Sequence, residues 1–276
     1  MKRHRVLAFD FDTRATILKQ EIGADWTPEV QASWKKNKEQ IIEHLVAEHG
    51  ALQLHRKVEN FIELGAAPLS LIAFHNKFFR QIRYVFTVGA FYPALTATCA
   101  LGERVLNHLI LMLREDFRAT EQYKHIYRKD SFDNWDVAID ALESWGVLLP
   151  DVSKAFRELR DIRNRTLHFD PETEGNDRTL ALEALKHFSS IISEQFSAFG
   201  KQPWYIEETR GAAFVKQSSE TIPFVKRVVL PNCQLVGYLH LLEHGPGGWI
   251  VRDDYKYEDQ KVTDEEFREL FNNRKI

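Results

Sequence analysis

The apolar residues between Tyr92 and about residue 115 recur at helical spacing, and this repeat restricts the fold more than any other feature of the chain. Leu101, Val105, Leu109 and Met112 form one ridge, with Leu106, Ile110 and Leu113 beside it. The same period returns on both sides. Thr27-Pro28 supplies an N-cap and a proline at the first helical position, opening a helix that runs through Trp34, Ile41, Ile42 and Leu45 to Gly50. Further helices are expected at 51–64, from Ser70 to Val88, within 116–127, from Phe132 to Gly146, from Pro150 to about residue 168, and from Thr179 to Phe199. A polar loop is expected at 170–177.

Beyond Gly200 the period changes. Short runs at Trp204-Tyr-Ile-Glu, Ala213-Phe-Val-Lys, Phe224–Leu230, Leu235–Leu242 and Trp249-Ile-Val-Arg read as strands punctuated by Pro and Gly. Val6–Thr13 reads as another strand, able to join them and tie the two ends of the chain together. Thr263-Asp-Glu-Glu266 is a capping-box pattern opening a last helix. The expected fold is mainly α, and α+β overall. It comprises an N-terminal strand and helices at 1–69, an antiparallel helical bundle at 70–199 and a small β-rich unit at 200–276.

Composition narrows the function. At 44% hydrophobic and 12% aromatic residues the chain can bury a sizeable core, and its net charge of −3 means that any nucleic-acid site must be a local patch. Its two cysteines, Cys99 and Cys233, have no histidine at zinc-ligand spacing, so no metal or other cofactor is expected and a reduced pair is the plainer reading. No apolar run approaches the roughly 20 residues of a membrane span. A soluble cytoplasmic protein is expected.

The chemistry concentrates in Arg157-Glu-Leu-Arg-Asp-Ile-Arg-Asn-Arg-Thr-Leu-His168-Phe-Asp-Pro171. Asn164 and His168 stand i and i+4 on a helix, and Arg157, Arg160 and Arg163 repeat every three residues as a cationic ridge. Pro171 ends the helix near His168. A guanidinium fork, an amide and an imidazole at a helix end suit the handling of a phosphodiester. On the long helix Glu103 and Asn107 share a face, with Arg104 and His108 on another, and Glu103 or Asn107 is expected to point at the Arg163–His168 motif. The plainer alternative has Arg163 paired with Asp161, Asp170 or Glu158 and His168 capping its helix.

Arg163-Asn164-Arg-Thr-Leu-His168 resembles the R-x4-6-H motif of the HEPN superfamily (higher eukaryotes and prokaryotes nucleotide-binding), with a polar residue after the arginine. The stretch Tyr92–Leu111 is similar to the long early helix of that fold. The resemblance spans residues 75 to 199. It implies a helical, usually dimeric protein, often a metal-independent ribonuclease acting as a toxin or defence effector. The catalytic residues would be Arg163, Asn164 and His168, with Arg157, Arg160 and Arg165 on RNA phosphates. RNA, a second copy of the chain, and an antitoxin or regulatory protein would be the partners. The His-x-Tyr extension of members paired with nucleotidyltransferase antitoxins is replaced by His168-Phe-Asp170. The resemblance also admits a non-catalytic RNA- or protein-binding module. A separate and more distant reading takes Asp10-Phe-Asp12-Thr13 as a phosphohydrolase motif, against the plainer one of a strand leading into a solvated turn.

Overall fold

The structure is a computed structural model and describes residues 1–73, 75–132, 134–166, 171–245, 248–258 and 261–274. It is mostly helical, with small antiparallel ladders. The chain order is β1 (Lys2–Val6), β2 (Asp10–Asp12), α1 (Arg14–Lys19), α2 (Pro28–His49), α3 (Leu54–Leu64), β3 (Ala67–Ser70), α4 (His75–Thr87), α5 (Phe91–Leu113), α6 (Glu121–Ile126), α7 (Trp135–Ser144), α8 (Pro150–Thr166), α9 (Pro171–Gln195), β4 (Cys233–Gly237), β5 (Leu241–Gly245), β6 (Gly248–Arg252) and α10 (Asp264–Asn272).

Helix α5 is the centre. Leu101, Val105, Leu106, Leu109, Ile110 and Leu113 are all buried, as the ridge requires, and α4, α7, α8 and α9 pack around it. Helix α8 buries Val152, Ala155, Phe156, Leu159 and Ile162, an i, i+3, i+4, i+7 stripe that leaves its arginines on the other face. Gly102 marks the closest approach. A Cβ there would stand 2.7 Å from Trp135 Cη2 and 2.8 Å from Leu159 Cδ2, so only glycine lets α7 and α8 lie this near α5. Among the described residues no helix is long and apolar enough to cross a membrane.

The main core runs from Val6 to Val229 and takes in Trp204, Tyr205, Val215, Phe224 and Val225, so the stretch after Gly200 packs on the helical body. A small second cluster joins Ile206, Phe214, Val236, Phe267 and Phe271, and a third joins Ala15, Ile41, Leu45 and Phe61 beneath α1 to α3. Among the described residues three two-stranded antiparallel ladders complete the fold: β1 with β4, β2 with β3 and β5 with β6. The register of the first sets Lys2 against Gly237 and Val6 against Cys233, which ties the two ends of the chain together.

Several local expectations need correction. Phe224–Leu230 is not a strand. Residues Val225–Val229 form a helical turn after Pro223, because the buried positions Phe224, Val225 and Val229 fall at helical spacing while Lys226 and Arg227 face solvent. Leu235–Leu242 divides into β4 and β5 around the Gly237–His240 turn. Tyr205 with Val215, and Phe214 with Arg5, make isolated bridges only. Of the strand expected at Val6–Thr13, only Val6 joins the C-terminal ladder, as the last residue of β1, while Asp10–Asp12 forms β2 and pairs with β3. Residues 67–70, placed ahead of and at the start of a helix, form β3, whose Ser70 pairs with both Asp10 and Ser197. The loop expected at 170–177 is largely helix, because Pro171 sits at the first helical position of α9 and opens it. The capping box of α10 forms as read: Thr263 Oγ1 accepts from the Glu266 N–H at 3.2 Å, and Glu266 Oε2 accepts from the Thr263 N–H at 2.7 Å.

Candidate functional site

Glu103 of α5 and Arg163 of α8 meet. Arg163 Nη2 donates to Glu103 Oε2 at 3.2 Å, and the same oxygen accepts the indole N–H of Trp135 at 3.0 Å. Trp135 is buried at 2% exposure, and its ring lies 6.0 Å from the Arg163 guanidinium carbon, within cation–π range. Arg163 Nη1 donates to Asn164 Oδ1 at 3.2 Å. One carboxylate, one indole and one amide thus fix the guanidinium. Asp161 and Glu158, offered as its partners by the plainer alternative, are used elsewhere: Asp161 binds Arg160, and Glu158 faces His187 Nδ1 at 3.1 Å. His168 and Asp170 lie outside the described residues.

The expectation for the long helix splits. Glu103 reaches the motif. Asn107 does not: its Oδ1 accepts the Phe132 N–H at 2.6 Å and its Nδ2 donates to the Phe132 carbonyl at 3.1 Å and the Glu103 carbonyl at 2.9 Å. Asn107 clamps the approach to α7, which carries Trp135. His108 turns to another neighbour, with its Nδ1 3.0 Å from Nε2 of His75. His75 is buried at 4%.

The cationic ridge is a charge-paired seam. Arg157 Nη2 donates to Asp140 Oδ1 and Glu143 Oε2, each at 2.8 Å. Arg160 binds Asp136 and, at 2.7 Å, Asp161. A phosphate that engages either arginine displaces a carboxylate of α7. These pairs lie at the surface, where such contacts are worth about 0–1 kcal/mol, so the exchange is cheap. Arg165 is exposed.

Cys99 is buried and Cys233 half-buried, neither forms a disulfide, and desolvation pushes each thiol up to about 12, which keeps it protonated. Asp12 is not a free nucleophile. Burial raises its carboxyl, but hydrogen bonds from the Arg14 side chain and backbone outweigh that and hold it below the ordinary carboxylate range. Asp10 pairs with Arg80 at 3.1 Å. Among the described residues no three His, Cys, Asp or Glu side chains are grouped to hold a metal ion.

One participant escaped sequence reasoning. Trp135 follows a helix N-cap and reads as core, and nothing local reveals that its N–H meets Glu103. Compared with known proteins, the chain matches no family model, no curated protein and no solved structure.

Proposed function

We propose that the chain is a HEPN-type ribonuclease that cleaves RNA at Arg163, Asn164 and His168 without a metal. The observation that carries the reading is the junction of Glu103 with Arg163. An acidic residue of the long helix holds the motif arginine in one orientation, as a preorganised phosphate clamp requires. On this reading α5, α8 and α9 are the antiparallel bundle of a HEPN fold. The Arg163 fork binds the non-bridging oxygens and meets the charge that develops on the phosphorane. His168 takes the 2′-hydroxyl proton or returns one to the leaving 5′-oxygen. One imidazole does not do both in a single step, so a second copy of the chain supplies the other, and the working unit is a homodimer. The 2′-oxygen bonds to phosphorus as the 5′-oxygen leaves, giving a 2′,3′-cyclic phosphate and a 5′-hydroxyl.

A second reading has its own support. Arg163 is already neutralised by Glu103, and the α7 carboxylates close Arg157 and Arg160. Such a surface also suits a non-catalytic RNA- or protein-binding module. Single-turnover incubation of the purified chain with labelled RNA, and with DNA of the same sequence, in EDTA separates the two. The proposal expects RNA cut to cyclic-phosphate ends, DNA left intact, and a dimer by light scattering. RNA bound but never cut overturns catalysis and leaves the binding module. An activity that appears only with Mg²⁺ overturns the metal-independent mechanism.

A further inference from the structure

A cleft of about 590 Å³ opens between β2, β3, the end of α2 and α4, within the size range of small-molecule sites. Its lining differs from the rest of the surface in one respect. Four buried side-chain atoms there have no hydrogen-bond partner among the described residues: Arg83 Nη1, Asn76 Oδ1 and both ring nitrogens of His49. Buried polar atoms are nearly always satisfied, so a cluster of orphans along one cleft wall points to a ligand.

Arg83 is the centre of the argument. It is 6% exposed, and its Nη2 donates to the Gly65 carbonyl at 2.6 Å. Among the described residues no carboxylate forms an ion pair or hydrogen bond with it; Asp12 is near enough to attract it but is bonded to Arg14. The two acids nearest the arginines of this cleft are otherwise engaged: Asp12 is gripped by Arg14, which also binds Glu48, and Asp10 by Arg80. A buried guanidinium whose nearest acid is bonded to another arginine is costly, and a bound anion would balance it. Desolvation accordingly lowers its pKa to about 10, so it stays charged at neutral pH. Arg80 stands one turn earlier on the same face of α4, and its side chain is 68% exposed. Its bond to Asp10 is a weak surface pair that an incoming anion can replace.

The other lining groups ask for more than an inorganic ion. Tyr84 and Phe11 stand at the rim 45% and 52% exposed, although both are large and aromatic. The Tyr84 ring lies 4.8 Å from that of His49. The His49 ring is kept neutral because burial lowers its pKa, and its Nε2 stands 3.6 Å from Glu48, too far to hydrogen-bond. A neutral imidazole offers one donor and one acceptor, and Asn76 Oδ1 offers an acceptor. An anionic group for Arg83 and Arg80, a planar ring for the exposed aromatics and polar edges for Asn76 and His49 describe a nucleotide.

We propose that this cleft is a binding site for a nucleoside monophosphate, with the phosphate held by Arg80 and Arg83 and the base set against Tyr84. The site shares no residue with the Arg163 motif and does not depend on it.

Isothermal titration calorimetry of the whole chain tests this with AMP and UMP as probes and with adenosine and inorganic phosphate as separate arms. AMP or UMP should bind at least about tenfold more tightly than either fragment, because charge-assisted and stacking contacts add. Arg83→Met and Arg80→Ala should each weaken binding about tenfold or more, and Tyr84→Ala should bring AMP towards the affinity of phosphate alone. Arg163→Ala should leave all of this unchanged. Arg83→Met removes a buried group and is first checked for folding by circular dichroism; Arg80→Ala and Tyr84→Ala change exposed side chains and decide the matter without it. Absence of binding by both nucleotides overturns the site. So does nucleotide binding that survives Arg80→Ala and Tyr84→Ala but disappears in Arg163→Ala, which would place the nucleotide at the RNA motif.

Discussion

Arg163 and Arg83 are both arginines drawn in from solvent by packed helices, and their company differs. Arg163 has a carboxylate, an amide and an indole ring about it, with a quarter of its side chain exposed. Arg83 is almost wholly buried and has one backbone carbonyl and the Phe79 ring at 5.7 Å. A carboxylate partner fixes where a guanidinium points but satisfies its charge beforehand. A guanidinium without one keeps its charge for an external anion, at a cost in folding stability. The first arrangement suits a group that must be aimed; the second suits a group that must bind. The experiments below attack that contrast.

The largest effect is expected at the motif. His168→Ala should cost on the order of 10²–10⁴ in single-turnover RNA cleavage, the usual contribution of a proton-transfer group. Arg163→Lys should be severe as well, since a point charge cannot reproduce the bidentate fork. His168→Ala cutting RNA at the wild-type rate would leave the Arg163 cluster as a structural brace and dissolve its side of the comparison.

Next comes the scaffold that aims Arg163. Gly102→Ala drives a methyl into Trp135 and Leu159, and overpacking of this kind costs about 1–3 kcal/mol. Urea denaturation should show a lower midpoint at unchanged slope. If stability holds, α5 and α7 yield easily and Glu103 is not rigidly placed.

A third arrangement is the close pair of His75, which is buried, and His108. His75 faces His108 and Arg104, and burial followed by those two neighbours lowers its pKa to about 4; His108 is lowered by burial and Arg104. The unfolded chain binds protons near the ordinary histidine value, so between about pH 6.5 and 4 it holds more protons than the folded one. Stability should therefore be full above that range and fall as the pH drops through it, by roughly 1–3 kcal/mol. His75→Phe should flatten this part of the urea-midpoint profile. A variant that loses stability on acidification as steeply as the wild type would assign the effect to other groups.

Arg157→Ala should be the mildest. Its exposed pairs with Asp140 and Glu143 predict a stability change of about 0–1 kcal/mol. If it reaches RNA phosphate after leaving those carboxylates, the salt dependence of RNA binding should fall by about one unit of slope while the chemical step is kept. An unchanged slope would mean that the seam stays closed.

The sequence by itself determined where most of the helices lie and which faces they bury, because those depend on residues three or four apart; it did not show that α9 opens at Pro171 or that α4 starts only at His75. Thr27-Pro28, Gly50, the α5 ridge and the Thr263–Glu266 box could all be read locally. It also placed Glu103 on a face that could meet the motif. Only the tertiary structure decided that Glu103 takes that contact while Asn107, one turn on, is spent on the Phe132 backbone. Tertiary packing likewise turned Val225–Val229 into a helical turn, closed Arg157 and Arg160 with acids from α7, and left Arg83 without a bonded carboxylate in a cleft built from five segments of the chain. Periodicity reports a residue's own neighbours. Whether a charge is answered or left waiting depends on side chains tens of residues away, and only packing brings those into reach.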